Sequence, residues 1–139
     1  MRAKKVRNFY LLRLIKGEEI LTTLKDFLTE KKIKGGIILG IGAGKEFTIG
    51  YYDLKRKHYF KKFIPEECEI VSLLGNIAVF EDDIFIHCHI LLALPTFTTI
   101  GGHLFSGVIT ATAEFFILPS PVKILRQKSE EIGLNLLDL

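Results

Sequence analysis

Three histidines in the second half of the chain have a spacing that could hold a metal ion. His87 and His89 are two residues apart in a strongly apolar run that predicts a β-strand. Successive side chains of a strand point to opposite faces, so both imidazoles are expected on one face and Cys88 on the other. His103 follows two glycines at the start of a later predicted strand.

If these two strands pair, the three imidazoles converge on one site. Imidazole nitrogens from His87, His89 and His103 would suit zinc or another divalent metal and would leave a fourth position open. The alternative is a set of hydrogen-bonded histidines at a buried face or a subunit boundary. Glu114 is a further candidate polar partner, but strand alternation places it opposite to His103 unless a β-bulge intervenes.

The glycine-rich segment from Leu39 to Glu46 does not match a nucleotide-binding loop. A P-loop needs glycine at Leu39 and serine or threonine at Glu46, and a dinucleotide fingerprint needs glycine at Lys45. The glycines are interpreted instead as a bend where two backbones approach closely.

Ser106 lies in no nucleophile elbow, because Leu104 stands where glycine is required. The absence of a complete catalytic motif favours a non-enzymatic role.

Basic residues form two clusters, one at the N-terminus and one around a predicted hairpin tip. The second is the candidate nucleic-acid surface. The net charge of +3 is too small to identify nucleic acid as the partner, and solvated strand edges and hairpin tips are the favoured explanation of such residues. The N-terminal cluster is Arg2, Lys4, Lys5 and Arg7, and the hairpin cluster is Lys55, Arg56, Lys57, Lys61 and Lys62.

The composition is that of one soluble domain. A chain of 139 residues can bury a core without disulfides, and Cys68 and Cys88 are expected to be reduced. Charges interrupt the N-terminal apolar run, so we expect a cytoplasmic protein with no membrane partner. Hydrophobic residues make up 48%, which predicts apolar surface that an oligomer covers. Candidates for that surface are Phe97, Phe105, Phe115 and Phe116.

The elements that would position the histidines are mostly strands. After a first strand at Phe9–Ile15, helical spacing predicts an amphipathic helix of about four turns that ends before Gly35. A period of two then predicts an antiparallel sheet of about seven strands, and Val122–Ile132 predicts a short C-terminal helix. We therefore predict a single compact α+β domain. The later strands are expected at Ile37–Ile41, Glu46–Leu54, His58–Ile64, Glu69–Phe80, Ile84–Leu94 and His103–Leu118.

Several blocks resemble the plant- and prokaryote-conserved (PPC) domain family. They run in order over residues 8–118, which would make residues 119–139 a C-terminal extension of a single domain spanning 1–139. Together they are specific, although each is short. The blocks are Arg13–Leu21, Gly40–Ala43, Gly50–Asp53, Glu69–Ile77, His87–Ile90, Gly101–Leu104 and Thr112–Glu114.

The resemblance implies a homotrimer of compact α+β domains. In plants such domains follow AT-hook segments in DNA-binding proteins, and prokaryotic members are described as predicted DNA-binding proteins. This chain has no Arg-Gly-Arg-Pro AT-hook. The first functional hypothesis is therefore a non-enzymatic oligomeric module with weak, non-specific DNA association. The alternative is a metal- or small-molecule-binding trimer, enzymatic or not, centred on His87, His89 and His103.

Overall fold

The computed structural model describes residues 1–139 and is dominated by one seven-stranded antiparallel sheet. The predicted single compact α+β domain with such a sheet is confirmed. The elements in chain order are β1 Arg2–Val6, β2 Phe9–Ile15, α1 Ile20–Glu30, β3 Gly36–Asp53, β4 His58–Ile64, β5 Cys68–Phe80, β6 Asp83–Ala93, β7 Thr99–Pro119, β8 Arg126–Ser129 and β9 Leu134–Leu137.

The sheet curls into a closed ring. Its strand order is β1-β2-β7-β6-β5-β3-β4, and β3 also pairs with β7. One edge of β3 therefore pairs first with β5 and then with β4, while its other edge pairs with β7. The ring of β3, β5, β6 and β7 leaves no free edge among these four strands over their paired segments, which protects them from edge-to-edge association.

The glycine segment of β3 forms a bulge instead of a turn. The two strands expected here are one continuous strand, with a register shift against β5 between Gly40 and Gly42. The predicted close approach of two backbones is confirmed, since a Cβ added to Gly42 would lie 2.5 Å from Cα of Ala113 on β7. The bulge lets β3 bend and pair on both edges.

The single helix α1 packs its apolar side onto the sheet. Its buried side chains, Ile20, Leu24, Phe27 and Leu28, join the main hydrophobic core, and the helix contacts β6 and β7. The prediction of a long helix is wrong, because α1 has 11 residues. Lys32 adopts a left-handed conformation with φ 56° and turns the chain before Gly35. The helix is not long and apolar enough to cross a bilayer.

The C-terminal segment is a β-hairpin, so the predicted helix over Val122–Ile132 is wrong. The backbone N–H of Val79 on β5 donates to the carbonyl of Ile124, and Leu125 forms a parallel bridge with Val79. Gly133, at φ 81°, then closes the turn between β8 and β9. A backbone that bonds to the sheet in this way cannot also form the local hydrogen bonds of a helix.

Candidate metal centre

The pairing of β6 with β7 brings the three histidines together, as the sequence predicts. His89 lies directly opposite His103 in the ladder, and His87 is two residues away on β6. The ring centroids are 5.2 Å apart for His87–His89, 5.1 Å for His87–His103 and 5.6 Å for His89–His103. One nitrogen from each ring lies within 4.8 Å of the other two.

Neighbouring residues with other potential ligand atoms face elsewhere. Cys88 is 1% exposed in the core, and burial raises the pKa of its thiol to about 12, so it stays protonated. Cys68 is also buried and forms no disulfide. Glu114 pairs with Ile41 on β3 and is not a member of the histidine cluster. The candidate donor set is therefore three imidazoles.

The surroundings keep two of the imidazoles neutral. Burial, followed by the charges of His87, His89 and Lys61, lowers the pKa of His103 to about 4. Burial also lowers the pKa of His87, with smaller contributions from Arg126 and His89. Neutral imidazole is the form that binds metal ions. Nδ1 of His103 is buried without a hydrogen-bond partner, which is unfavourable for a polar atom.

A cavity of about 260 Å³ lies beside the cluster. His87 and His103 line one part of it, and Tyr59, Phe85 and Phe105 supply aromatic walls. The C-terminal hairpin lines another side with residues of β8 and β9, among them Arg126. A metal ion held by the histidines would therefore border a small pocket that is partly open to solvent.

Arg126 reaches the histidine cluster from β8. Its guanidinium donates to Oδ1 of Asn76 at 2.7 Å and to the carbonyl of Asn135. The same group lies 3.4 Å from Nδ1 of His87, and its Cζ lies 4.9 Å from the ring centroid of Phe85. A guanidinium has no lone pair to offer, so its contact with His87 requires an unprotonated Nδ1, and metal binding by His87 would displace this contact whichever ring nitrogen held the ion.

The predicted basic hairpin is only partly free for a partner. Arg56 pairs with Asp53 at 3.3 Å, and Lys57 donates to the carbonyl of Glu130 at 2.6 Å. Lys61 lies 4.0 Å from the ring centroid of Phe105, at the edge of the histidine site. The remaining cations, Lys55 and Lys62, are exposed and make no salt bridge.

A second basic surface is formed by residues that are distant in sequence. It is a groove of about 710 Å³ between the β1–β2 turn, the end of α1 and the segment after β7. We call it the basic groove. Its cations are Lys5, Arg7, Lys31, Lys32, Lys34 and Lys123.

Comparison with protein-family models decides the family. The model of the Plants and Prokaryotes Conserved (PCC) domain, the family also abbreviated PPC, matches residues 1–121. The chain belongs to this family. No curated protein sequence matches the chain.

Solved structures of similar proteins share the whole fold. A candidate DNA-binding protein from Bacteroides thetaiotaomicron is 33% identical, with a TM-score of 0.96 over 99% of this chain and 96% of the other. A PPC protein from Pyrococcus horikoshii is 31% identical, with a TM-score of 0.88 over 99% and 94%. A metal-containing protein from Archaeoglobus fulgidus is 36% identical, with a TM-score of 0.87 over 99% and 96%.

Sequence reasoning did not identify Arg126 or Asn76 as parts of the site. Arg126 lies beyond the PCC match and falls in the segment that was expected to be helical, so no pattern connected it with the histidines. For Asn76 a signal did exist, because it lies on the strand next to the histidine strand and pairs with His87. The sequence does not fix the register of β5 against β6, and without that register Asn76 could not be assigned as the partner of His87.

Acidification should destabilise the metal-free PCC domain. Because the folded-state pKa of His103 is about 4 and an unfolded histidine titrates near 6.5, the unfolded chain binds more protons between these values. The contribution of His103 to the free energy of unfolding is fully present above about pH 6.5 and is lost as the pH falls toward about 4. From pH 7 to 5 we expect a loss of about 1 kcal/mol in the free energy of unfolding, after allowing for solvent screening. Urea titrations of chelator-treated protein measure it.

A variant pair separates this effect from general acid sensitivity. His103→Gln should show a smaller difference between the two pH values, whereas His58→Gln, which alters an exposed histidine on β4, should keep the difference of the original chain. Equal pH sensitivity in all three proteins would contradict the assignment.

Proposed function

We propose that this domain binds a divalent metal ion, zinc before others, through His87, His89 and His103. The observation that carries the proposal is the convergence of three imidazoles whose nitrogens lie within 4.8 Å of one another. Nitrogens that share one zinc ion lie about 3.3 Å apart, from Zn–N bonds of about 2.0–2.1 Å. His89 is exposed and free to turn toward the other two rings.

The electrostatics of the site support the same proposal. The lowered pKa values of His87 and His103 remove much of the competition between protons and a metal ion. Nδ1 of His103 is buried and has no hydrogen-bond partner within the protein. The 36% identical protein from Archaeoglobus fulgidus, described as metal-containing, adds support from a relative.

The residues favour a binding role over a catalytic one. When bound, the ion would supply a Lewis acid at the edge of the cavity. The chain's own residues there shape and orient a ligand: Tyr59, Phe85 and Phe105 form the walls and Arg126 supplies charge. No carboxylate lines the cavity, and burial raises the pKa of Tyr59, so that phenol stays protonated. The remaining bases in the lining are His87 and His103, whose lone pairs a metal ion would occupy.

We further propose that the domain is a homotrimer whose subunits meet beside this site. Leu39 pairs with Leu74 on one side and with Phe116 on the other, so the three side chains share the outer face of the ring. Leu74 in turn pairs with His89, which places the histidines at the border of this apolar face. The face consists of Ile37, Leu39, Ile41, Val71, Leu74, Phe116 and Leu118, each 41–59% exposed.

A group of exposed apolar side chains of this size on one face of a small domain is typical of a protein–protein interface. Of the phenylalanines expected at the surface, Phe116 lies on this face, whereas Phe115 is 1% exposed and belongs to the core. The resemblance to the PPC family, which implies a trimer, decides the number of subunits that we propose.

A second candidate function is weak, non-specific association with DNA. The proteins from Bacteroides thetaiotaomicron and Ralstonia eutropha, 33% and 29% identical, are described as candidate DNA-binding proteins. In this chain the basic groove and the hairpin cluster could contact phosphates, which supply affinity but no sequence information. A trimer would multiply these contacts.

Metal analysis of protein purified without an affinity tag tests the first proposal. We expect about one zinc ion per chain, and we expect His103→Gln to lower the affinity at least about 100-fold, because two imidazoles hold zinc far less tightly than three. His58→Gln is the matched control, since it removes the one histidine outside the cluster. Absence of metal after incubation with zinc, or equal losses in both variants, would refute the proposed centre.

Light scattering at micromolar concentration tests the trimer. The expected mass is three times that of the 15.8 kDa chain. Phe116→Lys should dissociate the assembly, because a lysine cannot be buried there without a partner for its charge. Phe97→Lys, which changes a side chain that is 91% exposed outside the apolar face, should leave it intact. A monomeric original chain would show that the proposal is wrong.

Binding titrations over a range of salt concentrations test DNA association. Replacement of Lys55, Arg56 and Lys57 by alanine should weaken binding about equally for every sequence and flatten the salt dependence. Alanine at Lys5, Arg7 and Lys34 in the basic groove should weaken it more, because two of the three hairpin cations already have intramolecular partners. Strong selection of one sequence at physiological salt would contradict non-specific binding.

A further inference from the structure

We infer that the cavity beside the histidines binds a small planar carboxylate, and that Arg126 supplies the positive charge that selects it. The inference deepens the proposed function and rests on it in one respect, since it takes the proposed metal ion to share the cavity with the ligand. It names the class of ligand, which the histidines alone do not.

The first argument is the unbalanced charge of Arg126. Its salt-bridge partners would have to be carboxylates, and Arg126 takes part in no salt bridge. The acceptors that it does have, Asn76 and the carbonyl of Asn135, are neutral. They fix the guanidinium in place without cancelling its charge. A partly buried cation without a counter-charge is unfavourable, and an anion would relieve it.

The second argument is the number of donors that remain. A guanidinium has five N–H groups, and the contacts with Asn76, Asn135 and His87 use three of them. Nε of Arg126 is buried without a partner, as is Nδ1 of His103. Two of the three buried side-chain polar atoms without a partner thus belong to residues that line one cavity. A carboxylate accepts hydrogen bonds from the free N–H groups of a guanidinium.

The third argument is that nothing in the cavity opposes an anion. Its lining contains no aspartate or glutamate. Lys61 lies close by, over the ring of Phe105, and its charge is one of the causes that lower the pKa of His103. The charged side chains known to line or border the cavity, Arg126 and Lys61, are therefore both cations, and a metal ion would add further positive charge.

The walls specify the shape of the ligand. Tyr59 and Phe105 meet edge to face, with centroids 5.1 Å apart, and Phe85 stands beneath Arg126. These rings offer flat apolar surfaces, which favour a planar ligand. The volume of about 260 Å³ lies below the range typical of drug-sized ligands and limits the ligand to a compact molecule.

Benzoate and benzamide form a matched pair of probes, because they have almost the same shape and differ in charge. Calorimetric titration of both probes into metal-free and zinc-loaded protein measures the preference for the anion. In metal-free protein we expect benzoate to bind at least about tenfold more tightly than benzamide, as a charged hydrogen bond implies. Zinc should tighten benzoate further.

Arg126→Gln should abolish that preference in metal-free protein. Lys128→Gln, which removes an exposed positive charge from the same strand, should keep it. Because Arg126 tethers the hairpin, Arg126→Lys is the second variant: it retains the charge and should retain a preference for benzoate of at least about threefold. Thermal unfolding of each variant shows whether the fold persists, and the shift of the His103 NMR signals on addition of benzoate reports binding in the original chain.

The outcomes separate this inference from the proposed metal site. Equal affinity for the two probes in metal-free protein, or a preference that survives Arg126→Gln, would overturn the carboxylate inference and leave the metal site standing. A preference that depends on Arg126 in a protein that takes up no zinc would support the inference and refute the metal site.

Discussion

The register of β6 against β7 is the constraint on which the site depends. His89 and His103 are cross-strand partners only in this register, and a slip of one residue would turn one of them to the opposite face. The two glycines before His103 permit it, because a Cβ on Gly101 would lie 2.6 Å from the carbonyl oxygen of Ile90, and one on Gly102 would lie 2.6 Å from that of Gly50. The backbone of β7 thus fits between β6 and β3 only without side chains there.

Burial determines the protonation of the histidines and the environment of the Arg126 charge. The C-terminal hairpin packs Arg126 against the outer face of β5 and β6 and covers His87 and His103 without covering His89. Partial exclusion of water keeps the imidazoles of His87 and His103 neutral, and the guanidinium has no counter-charge. Lone pairs for a cation and N–H donors for an anion therefore lie on one small cavity, as a site that binds a metal ion together with an anionic ligand requires.

The parts of this arrangement that follow a local period could be predicted from sequence. The alternation of a strand was sufficient to place His87 and His89 on one face and Cys88 in the core. The hairpin of β8 and β9 could not be predicted, because its position depends on hydrogen bonds to β5, more than 40 residues earlier in the chain. Arg126 was missed for the same reason. The prediction of two separate strands around Gly42 was wrong. The glycine-rich composition there resembles a turn, but a β-bulge lets one strand continue through it.

Anomalous diffraction from crystals of the zinc-loaded protein tests the central claim most directly, because it locates the metal atom and its ligands in one measurement. We expect one peak per chain at the zinc edge, about 2.0–2.1 Å from one nitrogen each of His87, His89 and His103. A zinc peak at any other position, or an empty histidine cluster in crystals that contain zinc elsewhere, would contradict the assignment of this cluster as the metal centre.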